Sequence, residues 1–166
     1  MVALTQGGSV DDIAPGVEFF RKLKEAGNFL PVDPTPATVE SGQTPVVIDW
    51  NYLNASETKK LPSWQVVVLP ENAVAGYYYQ AVSKDAPHPA AARLWQEFLY
   101  SDEGQNLYAQ GGVRPVRADN MQADGTLDPA VAASLPVVDG PVTVPTPQQT
   151  EAASKYLSEN WAAAVG

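Results

Sequence analysis

The chain has 166 residues, of which 45% are hydrophobic and 17% charged, so it is long and apolar enough to bury the core of one globular domain. Lysine and arginine total 10 against 19 for aspartate and glutamate, and the resulting formal net charge of -9 argues against nucleic acid and anionic membranes as partners. The absence of cysteine excludes disulfides and thiolate metal sites, and a single histidine, His88, excludes multi-histidine metal sites.

Apolar residues at helical spacing, together with capping signals, predict six helical segments. The clearest one begins near Pro15, behind the acidic pair Asp11 and Asp12, and ends before Gly27. In chain order the six predicted segments are 15–26, 38–42, 90–100, 101–110, 129–134 and 148–164.

Three extended runs, at 45–50, 65–69 and 76–82, lie between the second and third of these helices. The first two are continuously apolar, which is typical of strands that are covered on both faces in an α/β sheet. The sequence therefore predicts an α/β fold with short strands and loop-rich connections.

Enzyme signatures are absent from the sequence. It contains neither a glycine-rich phosphate loop nor a Gly-x-Ser-x-Gly nucleophile elbow. The carboxylates Glu97, Asp102 and Glu103 are spaced as on the solvated faces of helices, and no spacing supports two carboxylates converging in one pocket of a small hydrolase. We therefore predict no catalytic residue, no metal site and no cofactor.

The run Asp49, Trp50, Asn51 and Tyr52 stands at the carboxyl end of the first predicted strand, where open α/β sheets bind ligands. A carboxylate, an indole, an amide and a phenol can together hold a solute by hydrogen bonds, stacking and cation–π contact. The alternative is that Trp50 and Tyr52 are ordinary packing aromatics at a strand end. The four residues alone leave both interpretations open.

A second aromatic cluster is formed by Tyr77, Tyr78 and Tyr79. In an extended segment Tyr77 and Tyr79 would face one side and Tyr78 the other. Tyrosines can bind ferric iron or stack on ligands, but strands are rich in tyrosine for packing reasons alone, and packing is the favoured interpretation.

The order of several segments resembles the C-terminal half of an extracellular solute-binding protein of an ABC importer. The resemblance covers about residues 15–117 and is nearest to the group that includes ferric-iron, polyamine, thiamine and aminoethylphosphonate binders. It is carried by the runs Pro45–Leu53, Trp64–Glu71, Gly76–Val82 and Asp85–Leu99, and most specifically by Ala86-Pro-His-Pro89, Ser101-Asp-Glu-Gly-Gln105 and Gly111-Gly-Val-Arg-Pro-Val116.

The resemblance implies a two-lobed periplasmic-binding-protein fold that closes on a solute and delivers it to a membrane permease. On this basis residues 1–75 form an α/β segment of the second lobe, and 76–117 form a hinge strand and helices of an incomplete first lobe. Residues 118–147 form a proline-rich loop region, and 148–166 a C-terminal helix. The resemblance also implies a periplasmic or extracellular protein that is membrane-associated at full length, with a signal segment that this chain lacks because it is a fragment.

The resemblance places the family's cleft at Asp49, Trp50, Asn51 and Tyr52, with Tyr77 near the hinge as a further cleft residue. Tryptophan and acidic groups hold ammonium ends in polyamine binders, and the run resembles that arrangement. Ferric-iron binders carry two adjacent tyrosines near this position, whereas here Leu53 follows Tyr52. We expect a polyamine, a phosphonate or a related amine as solute. The alternative function is a self-associating structural module that binds no ligand of its own.

Overall fold

The computed structural model describes all 166 residues and divides them into two compact units. Unit 1 contains residues 1–47, 69–76 and 138–166, and unit 2 contains 48–68 and 77–137, so the chain crosses between the units four times. The assignment of 1–75 and 76–117 to two lobes stays a prediction.

Unit 1 contains four helices and the only two strands of the chain. The helices are α1 (Val2–Thr5), α2 (Ala14–Glu25), α3 (Pro36–Glu40) and α9 (Pro147–Val165). The strands, β1 (Ala73–Val74) and β2 (Val142–Thr143), pair in parallel, with Ala73 opposite Val142 and Val74 opposite Thr143.

The packing of α2 on α9 holds unit 1 together. The ring of Trp161 on α9 lies edge-on to Phe20 and Phe29, at centroid distances of 5.2 and 6.1 Å. Thr146 caps α9 in a reciprocal capping box with Gln149, which satisfies backbone N–H groups at the start of that helix. A large aromatic contact therefore joins the second helix of the chain to its last.

Unit 2 is entirely helical in its regular structure. It contains α4 (Asn51–Glu57), α5 (Pro89–Tyr100), α6 (Asp102–Gln110), α7 (Ala118–Asp124) and α8 (Pro129–Ser134). Its core is formed by Ala109, Met121 and Leu127, against which Val131 and Ala132 pack. Met121 is the largest fully buried side chain of the protein.

The motif Ser101-Asp-Glu-Gly-Gln105 begins α6 and holds it against the end of α5. The Ser101 hydroxyl accepts the backbone N–H of Gly104 at 3.1 Å and so caps α6. Gly104 lies so close to the end of α5 that a Cβ there would come within 2.2 Å of the Phe98 carbonyl oxygen. The buried Gln105 amide donates to the Leu99 carbonyl at 2.7 Å and accepts the Arg117 backbone N–H at 3.2 Å.

All six predicted helical segments are confirmed within a few residues. Three further helices, α1, α4 and α7, were not predicted. The last of them, together with α8 and β2, lies in the region 118–147 that was expected to be loop.

The three predicted strands at 45–50, 65–69 and 76–82 are wrong, because none of these segments pairs with a neighbour. Val46 is 83% exposed and Val67 is 70% exposed, so these apolar runs are not covered on both faces as a buried strand would be. An apolar run becomes a strand only where another strand bonds its backbone N–H and C=O groups. The fold is therefore helix-rich with one short parallel strand pair, and it contains less sheet than predicted.

Candidate functional site

The predicted site residues Asp49 and Trp50 lead directly into α4, and both lie in unit 2. Asp49 Oδ1 accepts the backbone N–H of Trp50 at 2.7 Å, and Asn54 Nδ2 donates to the Trp50 carbonyl at 3.2 Å. These two bonds hold the backbone at the beginning of the helix. Trp50 as a residue stays 46% exposed and is available to a ligand.

Asn51 and Tyr52 are the first two residues of α4, and both are half-buried. No hydrogen bond engages the side-chain amide of Asn51, so its donors and acceptor remain available. No ion pair engages the Asp49 carboxylate either, so this charge has no cationic partner within the chain. The start of α4 therefore presents an indole, an amide and an unpaired carboxylate within three consecutive residues.

The tyrosine segment contributes a different residue to this site from the one predicted. The Tyr78 hydroxyl lies 3.2 Å from the Tyr52 hydroxyl and forms a hydrogen bond with it. Tyr77 is exposed and makes no hydrogen bond or ring contact with the other predicted site residues. The role predicted for Tyr77 stays a prediction. Tyr78 was not predicted, because Tyr77 was chosen from the resemblance as the residue near the hinge and the contact of Tyr78 with Tyr52 joins segments 26 residues apart.

Gly112 packs against α4. Gly112 has φ +85°, a conformation that favours glycine, and a Cβ there would lie 3.4 Å from the Tyr52 carbonyl oxygen and 3.7 Å from the Ala55 Cβ. The motif Gly111-Gly-Val-Arg-Pro-Val116 therefore packs its second glycine against the helix that carries Tyr52. The motif therefore influences the candidate site through this packing contact with α4.

The phenol pair perturbs the acid–base behaviour of Tyr52. The hydrogen bond with Tyr78 raises the pKa of Tyr52 above its ordinary value of 10.0, and partial desolvation and the negative charges of Tyr78 and Asp49 raise it further. Because the pKa of Tyr52 is raised in the folded state, its hydrogen bond adds to the free energy of unfolding. This contribution is fully present below the ordinary pKa and is lost as the pH rises through the folded-state pKa.

We expect Tyr78→Phe to lower the pH at which Tyr52 loses its proton, since the phenol that bonds it is removed. The difference between the alkaline absorbance titrations of the wild type and Tyr52→Phe isolates Tyr52 from the other six tyrosines. The same difference is then measured between Tyr78→Phe and the double variant Tyr52→Phe, Tyr78→Phe. The matched control is the difference between Tyr79→Phe and the double variant Tyr52→Phe, Tyr79→Phe. An unchanged midpoint in the Tyr78→Phe background would contradict the hydrogen bond.

Two concave regions, one in each unit, do not include these residues. A depression of about 550 Å³ lies between α6 and the α7–α8 connection, and Asn106 in its lining holds that connection in place. Asn106 Nδ2 donates to the Thr126 carbonyl at 2.9 Å, and Asn106 Oδ1 accepts the Asp128 backbone N–H at 2.9 Å. A second depression of about 490 Å³ lies between α2 and α9. The Asn106 amide in the larger depression is therefore engaged by backbone groups, whereas the Asn51 amide at the start of α4 is not.

No group of three or more aspartate, glutamate or histidine side chains is arranged to hold a metal ion. No helix is both long enough and apolar enough to cross a membrane.

Comparison with protein families gives a match. A family model described as bacterial extracellular solute-binding protein matches residues 4–114. This range includes the start of α4, the tyrosine segment and the first four residues of the motif at 111–116. No curated protein matches the chain.

Proposed function

Since the chain belongs to the bacterial extracellular solute-binding proteins, we propose that it captures a small amine for an ABC importer. Membership of the family supports a role in transport, a small-molecule ligand and a periplasmic or extracellular location. Proteins of this family bind their solutes and do not transform them. The proposal concerns which solute is bound and which residues bind it.

The observation that carries the proposal is the combination of side chains at the start of α4. The Asp49 carboxylate has no ion-pair partner, and the Trp50 indole beside it is half exposed. A carboxylate pairs with an ammonium group, and an indole face attracts the same cation through its quadrupole. The Asn51 amide and the Tyr52 phenol add hydrogen bonds that fix the orientation of the solute.

A positively charged solute fits these groups better than an anion does. Asp49 would repel an anion, and no arginine or lysine side chain forms a hydrogen bond or an ion pair with any of the four residues to offset that charge. The candidate solutes are therefore polyamines and related amines, and an aminoalkylphosphonate fits only where its ammonium group, and not its anionic phosphonate, faces Asp49. We propose Tyr77 as a further contact for the more distant end of a long solute.

The test is calorimetric titration of the chain with putrescine, spermidine and 2-aminoethylphosphonate. We expect one amine to bind, and we expect Asp49→Asn and Trp50→Ala each to weaken it by about tenfold, since each removes one charge-dependent interaction. A solute that binds only the folded state will also raise the melting temperature, which gives a second readout of the same binding.

Trp95→Ala is the control for loss of an exposed tryptophan, because Trp95 lies on α5 and stacks on Phe98 at a centroid distance of 5.5 Å. Its affinity for the amine should match that of the wild type. If Asp49→Asn and Trp50→Ala bound the amine as tightly as Trp95→Ala does, the site would lie elsewhere.

A second candidate function, self-association, is favoured by the apolar face of α5. Leu94 and Trp95 are both more than half exposed and adjacent in sequence, and Tyr100 lies exposed at the end of the same helix. Exposed apolar patches of this kind mark interaction surfaces. Sedimentation velocity over a concentration series separates this candidate, which requires a dimer, from a monomeric solute binder.

A further inference from the structure

The hydrogen bond between Tyr52 and Tyr78 joins two segments that lie 26 residues apart in sequence. One phenol donates and the other accepts, so the bond consumes one hydrogen and one lone pair. The pair then retains one O–H donor against three lone pairs. It presents mainly hydrogen-bond acceptors to a ligand.

The Asp49 carboxylate adds acceptors to this pair. One of its oxygens accepts the Trp50 backbone N–H at 2.7 Å, and the other makes no hydrogen bond. The negative charge of Asp49 also reaches the phenol pair, since it contributes to the raised pKa of Tyr52. The combined surface is negatively charged and rich in acceptors, which complements a cation that carries N–H donors.

We propose that Tyr78 is a specificity-determining residue of this site, acting with Tyr52 to select solutes whose charged nitrogen carries hydrogens. This inference rests on the proposed function and names the class of amine that the site takes. Trp50 cannot make this distinction, because cation–π attraction acts on quaternary and primary ammonium groups alike. A preference for ammonium groups that carry N–H must therefore come from hydrogen-bond acceptors. The two phenols and the Asp49 carboxylate are such acceptors.

The neighbouring Tyr79 provides the control. Tyr79 is 88% exposed and Tyr77 is also exposed, and neither hydroxyl bonds another side chain. Tyr79→Phe therefore removes the same hydroxyl, one residue along the chain, without touching the pair. Tyr78 is itself 67% exposed, so Tyr78→Phe should fold as the wild type does.

The experiment compares putrescine with its fully N-methylated, bis-quaternary analogue by calorimetric titration of the wild-type chain, Tyr78→Phe and Tyr79→Phe. The wild type and Tyr79→Phe should bind putrescine at least about tenfold more tightly than the analogue. In Tyr78→Phe this preference should fall by about three- to tenfold, mainly through weaker binding of putrescine. Tyr52→Phe should reduce the preference similarly, because it removes the other member of the pair.

Two results would count against the proposals, and they differ. If the wild type bound neither putrescine nor the analogue, nor any amine of the earlier panel, the proposed function itself would be overturned. If it bound putrescine and Tyr78→Phe kept the wild-type preference, amine binding would stand and the role of Tyr78 would be overturned. A preference lost equally in Tyr78→Phe and Tyr79→Phe would also overturn the specific role of Tyr78.

Discussion

Replacing Gly104 with alanine should lower the free energy of unfolding by about 3 kcal/mol, at the upper end of the usual cost of overpacking. The added Cβ would lie 2.2 Å from the Phe98 carbonyl oxygen and 3.0 Å from the Leu99 Cα, so the backbone between α5 and α6 would have to move. The cap itself would survive, because alanine keeps the N–H that Ser101 accepts. Urea denaturation followed by tryptophan fluorescence measures the change.

Gly111→Ala is the matched control, because Gly111 ends the same helix with φ -76°, and the nearest atom to an added Cβ there is the Tyr108 carbonyl oxygen at 3.3 Å. We expect this variant to change the free energy of unfolding by less than about 1 kcal/mol. Alanine inside a helix is normally more stable than glycine. A Gly104→Ala variant as stable as Gly111→Ala would therefore contradict the close approach of α5 to α6.

Gln105→Leu should also cost about 3 kcal/mol of unfolding free energy, since it leaves one buried and one half-buried backbone group without partners. The Leu99 carbonyl and the Arg117 N–H both bond the Gln105 amide, and leucine has a similar volume but no polar atom. Besides stability, the hydrogen-exchange rate of the Arg117 amide should rise. Two-dimensional NMR measures both the free energy of unfolding and the exchange rate of the Arg117 amide in one sample.

The same substitution at Gln110 is the control. This glutamine lies on the same helix, is exposed and makes no side-chain hydrogen bond, so Gln110→Leu should leave the unfolding free energy within about 0.5 kcal/mol of the wild type. If Gln105→Leu behaved like Gln110→Leu, the bridge from α6 to Arg117 would contribute nothing to stability.

The helices could be predicted because their signals are local. Ser101 begins α6, Pro147 stands in the first turn of α9, and Gly27 follows the end of α2 with φ +75°. Each signal acts within one or two turns of the residue that carries it. The helix α7 also carries such a signal, Gly125 with φ +72°, but the many prolines around it favoured a loop.

The strands could not be predicted because a strand depends on a distant partner. The valines at 46, 47, 66, 67 and 68 satisfy every compositional rule for a buried strand, yet no other segment pairs with them. The pairing that does form, between 73–74 and 142–143, involves two residues on each side and has no compositional signal. A strand forms only where its backbone bonds a partner segment that is distant in sequence. An apolar run provides side chains that suit a sheet, but it does not provide that partner.

Only the part of the candidate site that is local in sequence could be predicted. Asp49 to Tyr52 are consecutive, so their proximity follows from the sequence, whereas Tyr78 joins them only through the fold. The motifs at 101–105 and 111–116 were recognised from their residue order. Their physical roles became visible only in the contacts of Gly104, Gln105 and Gly112. Those contacts hold α4, α5 and α6 in place and leave ligand contact to other residues.

The four crossings between the units affect the order in which a nascent chain can fold on the ribosome. Unit 2 is complete once residue 137 has been synthesised, whereas α2, made much earlier, packs on α9 at residues 147–165. Phe20 and Phe29 therefore stay without Trp161 throughout translation of everything between them. Domains usually complete in the order in which they are made, from the N-terminus onward. Here unit 1 is completed after unit 2, and Phe20 and Phe29 lack their aromatic partner until α9 has been synthesised.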